Sequence, residues 1–463
     1  MFWNHFKIAL RNLRAHKSYS LINILGLAVG IGVCLMLYLV IAFQSSFDDF
    51  HPNRDRIYRV LTEFHHADAN VFYGQGVPFG LPVGLKAGFP QIQKIAPIYS
   101  DQQEQILVLD PSGSVARKFS EDQGVFLTVP DFFDIFHFPL LSGSYASLKD
   151  PGNVLLTEDI ANKYFGDWKE ALGKTLRIHN TDNLKVTGVL ANPPKNSDFQ
   201  LRLVVAWGTG ETQQLASSTD WEGVGSSFGC YILLPPHISV SRFNTQLRAF
   251  SKRMEPPEDK DSHIIQPLSA VHFDTHTGDF SGQSMSHQFM DTLWLIGFLI
   301  LLIACVNFIN LSTAQASNRG KEISVRKVMG SRSWQIRSQF FTETFLIVLG
   351  SLFVAVAIAT LLLPYLNQIL DLPLRLNLLE PSVLIFLGSI LVLVTLMAAF
   401  YPSFVLSRFN PVQALKSNFQ SNGRGILLRR SLVVAQFGIA QVLIIGTIII
   451  ARQMNFFIHH PVG

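Results

Sequence analysis

Five long apolar runs constrain this chain more than any other feature of its sequence. They lie at residues 21–43, 292–314, 341–363, 381–406 and 431–453. Each is longer than the roughly 18 to 20 residues that a helix needs to cross a bilayer. The first run is too long for a cleaved signal peptide and no small-residue cleavage motif follows it, so we interpret it as a retained span. The sequence therefore predicts a polytopic α-helical membrane protein with five spans.

The charged residues divide the chain into two parts. Residues 44–291, between the first and second runs, contain 20 Lys and Arg against 29 Asp and Glu, whereas the remainder contains 17 basic and 4 acidic residues. Only 15% of all residues are charged, compared with roughly 25% in soluble proteins. The long interval is thus an acidic soluble domain, and the rest is a basic membrane part.

The distribution of Lys and Arg among the short loops predicts the orientation of the spans. The links before the first run, after the second and after the fourth are basic, whereas the loop at 364–380 contains only Arg375. We therefore expect residues 1–20, 315–340 and 407–430 in the cytoplasm, and residues 44–291, 364–380 and 454–463 outside. The basic flank of the fifth run resembles that of the first, although any inward flank tends to be basic. We accordingly expect the chain to be interrupted at Gly463 and to continue with a second half-unit.

Residues 1–20 combine apolar residues at helical spacing with four basic residues, which is typical of a helix lying in the inner headgroup layer.

Small and polar residues occur within two of the apolar runs. Gly26 and Gly30 form a G-x-x-x-G pattern that favours close helix packing, and Asn307 and Asn310 occur on adjacent turns of the second run. We interpret all four as helix-packing residues; for the asparagines, a transport pathway is the alternative.

The soluble interval predicts a large α+β extracytoplasmic domain, divided into two lobes. Short alternating or apolar stretches separated by turn residues indicate strands, and two longer stretches indicate helices. The expected strands are 56–63, 105–109, 176–178, 185–190 and 230–234, and the expected helices are 157–165 and 240–254.

Candidates for catalysis or metal binding are few in this domain. Gly173-Lys174-Thr175 ends like a phosphate-binding loop, but Trp168 occupies the position of the required earlier glycine. His272, Asp274 and His276 form a single cluster with no third His or Cys nearby, which is weak evidence for a metal. No G-x-S-x-G, H-E-x-x-H or C-x-x-C motif occurs. We predict a non-catalytic chain with no metal site and no cofactor of its own.

The link between the second and third runs is the most informative stretch, QASNRGKEISVRKVMGSRSWQIRSQFF. Six basic residues alternate there with apolar ones, so the segment suits the inner membrane surface. It could serve only as a positive-inside anchor. However, residues 320–331, GKEISVRKVMGS, closely resemble the segment after the second span in ABC transporter permeases of the FtsX/MacB type.

This resemblance extends over nearly the whole chain. Residues 12–60 are similar to the first helix and the start of the MacB-like periplasmic core domain, and 156–176 are similar to later parts of that domain. Residues 292–416 resemble the FtsX-like permease domain. In that family the segment after the second span is a coupling helix that contacts the ATPase. The resemblance assigns coupling to Arg319, Lys321, Glu322, Ile323, Arg326, Lys327, Met329, Gly330 and Ser331.

The resemblance implies a permease of the mechanotransmission type in the bacterial inner membrane, with its N-terminus in the cytoplasm. Its implied partners are a cytoplasmic ABC ATPase dimer that binds ATP and Mg²⁺, a second permease copy or half-unit, the lipid bilayer and a periplasmic protein, but no nucleic acid. The cargo would be a peptide, lipoprotein or drug. The alternatives are an FtsX-like module that activates a cell-wall hydrolase without transport, and a membrane-tethered sensor without an ATPase.

Overall fold

The computed structural model describes residues 2–65, 71–210, 212–256, 260–318, 325, 327–407 and 423–459. The chain divides into two compact units. One, the membrane unit, comprises Met1–Ala42 together with Gln288–Gly463, and the other, the outer domain, comprises Phe43–His287. The outer domain is therefore an insertion between the first and second long helices.

Twelve α-helices lie in the described parts of the chain. In chain order they are α1 (Phe2–Ala15), α2 (Lys17–Ser45), α3 (Leu81–Gly88), α4 (Asp131–Ile135), α5 (Glu158–Phe165), α6 (Thr212–Leu215), α7 (Val240–Met254), α8 (Leu268–Val271), α9 (His287–Asn318), α10 (Ser333–Leu370), α11 (Pro381–Ser407) and α12 (Gly423–His459).

Five of these helices, α2 and α9 to α12, are long and apolar enough to cross a membrane, which confirms the five predicted spans. The helices extend beyond the apolar runs. α10, for example, includes the end of the expected 315–340 segment and the start of the expected 364–380 loop. An apolar run marks only the part of a helix that suits hydrocarbon, whereas backbone hydrogen bonding continues into the polar flanks.

Helices α2, α9, α10 and α11 pack around one apolar core. Each contributes fully or almost fully buried side chains, among them Leu27, Cys305, Val348 and Val394. α12 differs from the other four, because none of its most apolar stretch is buried against the described chain.

The outer domain contains thirteen strands among its described residues. They are β1 (Ile57–His65), β2 (Val71–Gly74), β3 (Lys94–Asp101), β4 (Glu104–Leu109), β5 (Val115–Glu121), β6 (Val125–Thr128), β7 (Leu140–Gly143), β8 (Asn153–Thr157), β9 (Thr175–Ile178), β10 (Asp182–Leu190), β11 (Leu203–Ala206), β12 (Phe228–Leu233) and β13 (Ser262–Pro267). The expected strands and helices of this domain are all present, with boundaries that differ by a few residues.

All thirteen strands form one sheet in the order β13-β1-β12-β3-β6-β11-β8-β10-β9-β4-β5, with β2 beside β1 and β7 beside β10. The pairs β8–β10 and β6–β11 are parallel and the others are antiparallel. β3 pairs with β6 and joins the two halves of the sheet, while the expected division into two lobes stays a prediction. Strand pairing between residues so distant in sequence leaves no local pattern.

The first and last strands of the outer domain are neighbours. β1 pairs antiparallel with β13 from Tyr58↔Pro267 to Glu63↔Ser262. Helices cover the sheet, with α7 against β13 and α4 against β3. Aromatic side chains fill the largest core cluster, which includes Phe132, Phe136 and Tyr231.

A buried carboxylate ties α5 to the sheet at the end of β5. Glu121 is fully buried and accepts hydrogen bonds from Lys163 Nζ at 2.5 Å, from the Tyr164 hydroxyl at 2.8 Å and from the guanidinium of Arg202. Burial alone would raise the pKa of Glu121, but these hydrogen bonds outweigh burial and the pKa is lowered. The ionised form is therefore the native one.

We predict that Glu121→Gln destabilises the full chain in detergent by about 1 to 3 kcal/mol, because hydrogen bonds to a charged group are lost. Since the folded-state pKa is lowered, this stabilisation is present above the unfolded-state pKa and is lost as the pH falls. Thermal unfolding at pH 7 and pH 4 measures both effects. Glu222→Gln, at an exposed position, is the control, and equal melting temperatures for the two variants would contradict the prediction.

Candidate functional site

The inner segment between α9 and α10 is described in part, at residue 325 and from residue 327 onward. Residues 325, 327 and 328 are helical, and the chain then turns at Gly330, whose φ of 93° favours glycine. α10 begins after Arg332, whose backbone N–H donates to Gln335 Oε1 at 2.9 Å. Five of the predicted coupling residues lie outside the described residues: Arg319, Lys321, Glu322, Ile323 and Arg326.

The described part of this segment presents large apolar side chains to solvent. Val328, Met329 and Trp334 are 67%, 82% and 70% exposed, and Val325 is also exposed. The basic residues Lys327, Arg332 and Arg337 lie among them in sequence. Exposed apolar side chains within a basic segment are typical of a surface that contacts a partner or a membrane. Ser331 is half-buried within the turn.

The predicted packing residues differ in their surroundings. A Cβ atom on Gly30 would lie 2.7 Å from Cβ of Ala304, so α2 and α9 touch at this glycine. A Cβ atom on Gly26 would lie 3.7 Å from Nδ2 of Asn307, which is an ordinary contact. Asn310, one turn further along α9, is half-buried. Close approach of the two helices therefore depends on Gly30 more than on Gly26.

Polar contacts join the inner ends of the membrane helices. The hydroxyl groups of Tyr19 on α2 and Ser312 on α9 lie 2.6 Å apart. Asn12 Nδ2 on α1 donates to Oε1 of the buried Glu343 on α10, at 2.6 Å. The cavity beside them has a volume of about 10 Å³, which is room for about one water molecule. These contacts attach α1 to the bundle.

A second polar cluster lies where the chain leaves α2 and enters the outer domain. Asp48 has a left-handed backbone with φ of 54°, which Asp tolerates better than most residues. Its backbone N–H donates to Asn196 O at 2.9 Å, and its carboxylate accepts from the hydroxyl of Ser197 at 2.7 Å. Asn196 Nδ2 donates to Ser46 O at 2.8 Å. Residues 46–48, which follow α2, are thus fixed to the loop at 193–200 within the outer domain.

The segment that leads towards α9 is fixed to the same place. His272 stacks on Phe47 with ring centroids 3.5 Å apart, and His272 Nε2 lies 2.8 Å from Gln44 Oε1. Burial lowers the pKa of His272 to about 4, so its imidazole is neutral at physiological pH. Asp274 instead accepts hydrogen bonds from Gln266 and from the backbone of His276. His272 and Asp274 are thus engaged with different protein groups.

Asp198 is the most deeply buried acid of this junction. Its carboxylate accepts from Ser281 N at 3.0 Å and from the hydroxyl of Tyr231 at 3.2 Å. Burial, together with the negative charges of Asp279 and Asp48, raises the pKa of Asp198 to about 7. Burial also raises the pKa of Asp279. Burial therefore favours the protonated form of both Asp198 and Asp279.

Neither this junction nor the Asn12–Glu343 contact can be identified from the sequence alone. The residues involved are far apart in sequence, and no local sequence pattern distinguishes any of them from its neighbours. The only local signal was that Asp48 closely follows an apolar run, where a charged residue is also common at a membrane boundary.

The chain matches two protein-family models. Residues 20–250 match the MacB-like periplasmic core domain, and residues 294–411 match the FtsX-like permease C-terminal domain. Together they cover about three quarters of the chain. The chain belongs to the FtsX/MacB-type permeases, which are membrane-spanning components of ABC transporters and work with cytoplasmic ABC ATPases. It is therefore a multi-pass membrane protein, and permeases of this family are generally non-catalytic.

Two solved structures are similar to part of the chain. One is a domain of a permease protein from Porphyromonas gingivalis, with 21% sequence identity and a TM-score of 0.40 over 47% of this chain and 91% of that one. The other is the periplasmic region of MacB from Actinobacillus actinomycetemcomitans, with 16% identity and a TM-score of 0.33 over the same shares. No curated protein matches the chain.

We predict that Gly30→Ala lowers the melting temperature of the chain in detergent, whereas Gly26→Ala leaves it unchanged or raises it. The new methyl group at position 30 meets the rigid Cβ of Ala304, and overpacking of this kind costs about 1 to 3 kcal/mol. At position 26 only the gain in helix propensity remains, up to about 1 kcal/mol. Equal effects of the two substitutions would show that α2 and α9 do not depend on Gly30.

We predict that Asp198→Asn reduces the pH dependence of stability. Because the folded-state pKa of Asp198 is raised to about 7, its contribution is present below the unfolded-state pKa and is lost as the pH rises through 7. The melting temperature of the wild type should fall between pH 6 and pH 8 by at least about 2 °C more than that of the variant. The exposed Asp122→Asn is the control, and parallel curves for all three proteins would refute the prediction.

Proposed function

We propose that the chain is the permease subunit of a mechanotransmission ABC transporter. In this proposal, ATP hydrolysis in a separate cytoplasmic ATPase moves the outer domain, which extracts or exports a periplasmic peptide, lipoprotein or drug. The proposal rests on the exposure of apolar side chains among basic residues in the inner segment, namely those of Val328, Met329 and Trp334.

The apolar side chains distinguish a docking segment from a simple charged anchor. Basic residues alone attract anionic lipid, with about 1 kcal/mol for each Lys or Arg near the surface. A protein partner gains more from large side chains that fill pockets, and truncation of such a central contact costs about 2 kcal/mol or more. The high exposure of Met329 and Trp334 fits a contact with a protein partner. The undescribed residues Arg319, Lys321, Glu322, Ile323 and Arg326 would extend the same contact.

The close packing of α2 and α9 supports transmission along the spans. The inner segment follows directly after α9, and α9 touches α2 at Gly30. These are the two helices between which the outer domain is inserted. A displacement at the inner end of α9 would therefore act on both chain connections of the outer domain. In this scheme the half-buried Asn310 packs between helices, whereas Asn307 is exposed in the structure beside Gly26, and neither residue needs to line a transport path.

ATP and Mg²⁺ would bind in the ATPase subunits and not in this chain. A ligand shifts a two-state system only by its different affinity for the two states, so ATP must favour the closed ATPase dimer. The proposed orientation has the N-terminus and the inner segment in the cytoplasm of a bacterial inner membrane. A second permease copy or half-unit would complete the complex, and the uncovered apolar surface of α12 is available for that contact or for lipid.

We predict that Met329→Asp abolishes association with the ATPase while the chain remains inserted and folded. The aspartate replaces an exposed apolar side chain, so folding should tolerate it, whereas a loss of about 2 kcal/mol weakens the contact roughly 30-fold. Affinity-tagged permease is purified in gentle detergent from cells that express the cognate ATPase, and the ATP hydrolysis that remains bound to it is measured.

Met254→Asp is the matched control, since Met254 is also exposed but lies in the outer domain. It should retain the bound ATPase, and Met329→Leu should retain most of it. Full ATPase binding and full transport by Met329→Asp would eliminate the coupling role and leave the segment as a positive-inside anchor.

A further inference from the structure

A short turn between β3 and β4 and the hairpin turn between β9 and β10 bring acidic and imidazole side chains of the outer domain together. One turn joins β3 to β4 between Asp101 and Glu104, and the other joins β9 to β10 between Ile178 and Asp182. β4 pairs antiparallel with β9 at Leu107↔Arg177. The start of β4 therefore lies beside the end of β9, and both turns project from the same end of the sheet.

The side chains of Asp101, Glu104 and His179 converge between these turns. His179 Nε2 lies 2.9 Å from Asp101 Oδ2 and 3.4 Å from Glu104 Oε1. The three potential ligand atoms all lie within 4.8 Å of one another. All three side chains are partly exposed, at 12% to 21%, so an ion can reach them from solvent.

The second ring nitrogen of His179 faces a different carboxylate. Nδ1 of His179 lies 3.4 Å from Oδ2 of Asp182. A carboxylate that accepts the Nδ1 proton fixes the imidazole so that Nε2 is presented to a metal, which is the usual arrangement around histidine ligands. Here Nε2 is the nitrogen that faces Asp101 and Glu104.

The charge of the cluster also favours a cation. Three carboxylates surround one imidazole, so these four groups remain negative together even when His179 is protonated.

We propose that Asp101, Glu104 and His179 bind a divalent transition-metal ion of the Zn²⁺ type, with Asp182 orienting the imidazole. One imidazole nitrogen with carboxylate oxygens is a ligand set that suits Zn²⁺, and a water molecule would complete the coordination. The ion would join the β3–β4 and β9–β10 turns. The sequence alone predicts no metal site, because His179 lies far from Asp101 and Glu104 in the chain.

The backbone at His179 allows a conservative test. His179 and the following Asn180 have left-handed φ values of 51° and 59°. Asn tolerates this conformation well, so His179→Asn removes the imidazole while preserving the turn. His237 is exposed and also left-handed, with φ of 64°, and His237→Asn is therefore a matched control.

The experiment is a calorimetric titration of Zn²⁺ into the full chain, purified in detergent and stripped with a chelator. We expect the wild type and His237→Asn to share one site that weakens at least about tenfold in His179→Asn. Asp101→Asn should have the same effect and covers the case in which the first variant does not fold. Binding at other histidines is common to all variants and cancels in the comparison.

A second measurement is thermal unfolding with and without Zn²⁺. An ion that binds only the folded state raises the melting temperature, so Zn²⁺ should stabilise the wild type and His237→Asn but not His179→Asn. Equal Zn²⁺ affinity and equal stabilisation in His179→Asn would overturn the proposal. So would Ca²⁺ binding equal to Zn²⁺ binding and unaffected by the variant, because the imidazole would then have no role.

Discussion

The contact between α2 and α9 at Gly30 and Ala304 is the interaction on which the rest of the structure depends. Without a hydrophobic driving force inside lipid, helices associate through close packing and polar contacts. Here the small residues provide the packing and the Tyr19–Ser312 contact adds a polar one. In the chain, the whole outer domain is inserted between these two helices.

Polar contacts within the membrane unit and within the outer domain complement this packing. At the inner end, the Asn12–Glu343 hydrogen bond attaches α1 to α10. In the outer domain, Asp48 binds the loop at 193–200, and His272 stacks on Phe47. Buried polar groups of this kind specify one geometry strongly, because any rearrangement would leave them without partners. The apolar packing of the helices thus allows small shifts, whereas the few buried polar contacts require one geometry.

The spans and most strands could be predicted from the sequence because their signals are local. A bilayer imposes a minimum apolar length, and strands such as β12 and helices such as α7 have the expected composition over consecutive residues. The junction around Asp48 and Asp198 could not be predicted, since its partners are about 150 residues apart and no period relates them. The same holds for the single sheet and for the convergence of Asp101 with His179. The inner segment was recognised by resemblance, and the exposure of Met329 became visible only with the structure.

The pairing of β1 with β13 has a consequence for how such proteins diversify. The first and last strands of the outer domain are direct neighbours, so the chain enters and leaves this domain through adjacent positions. The elements between β1 and β13 can then be lengthened, shortened or exchanged without changing where the chain enters and leaves the domain. Related permeases can in this way exchange their outer domains while the membrane-spanning helices remain the same.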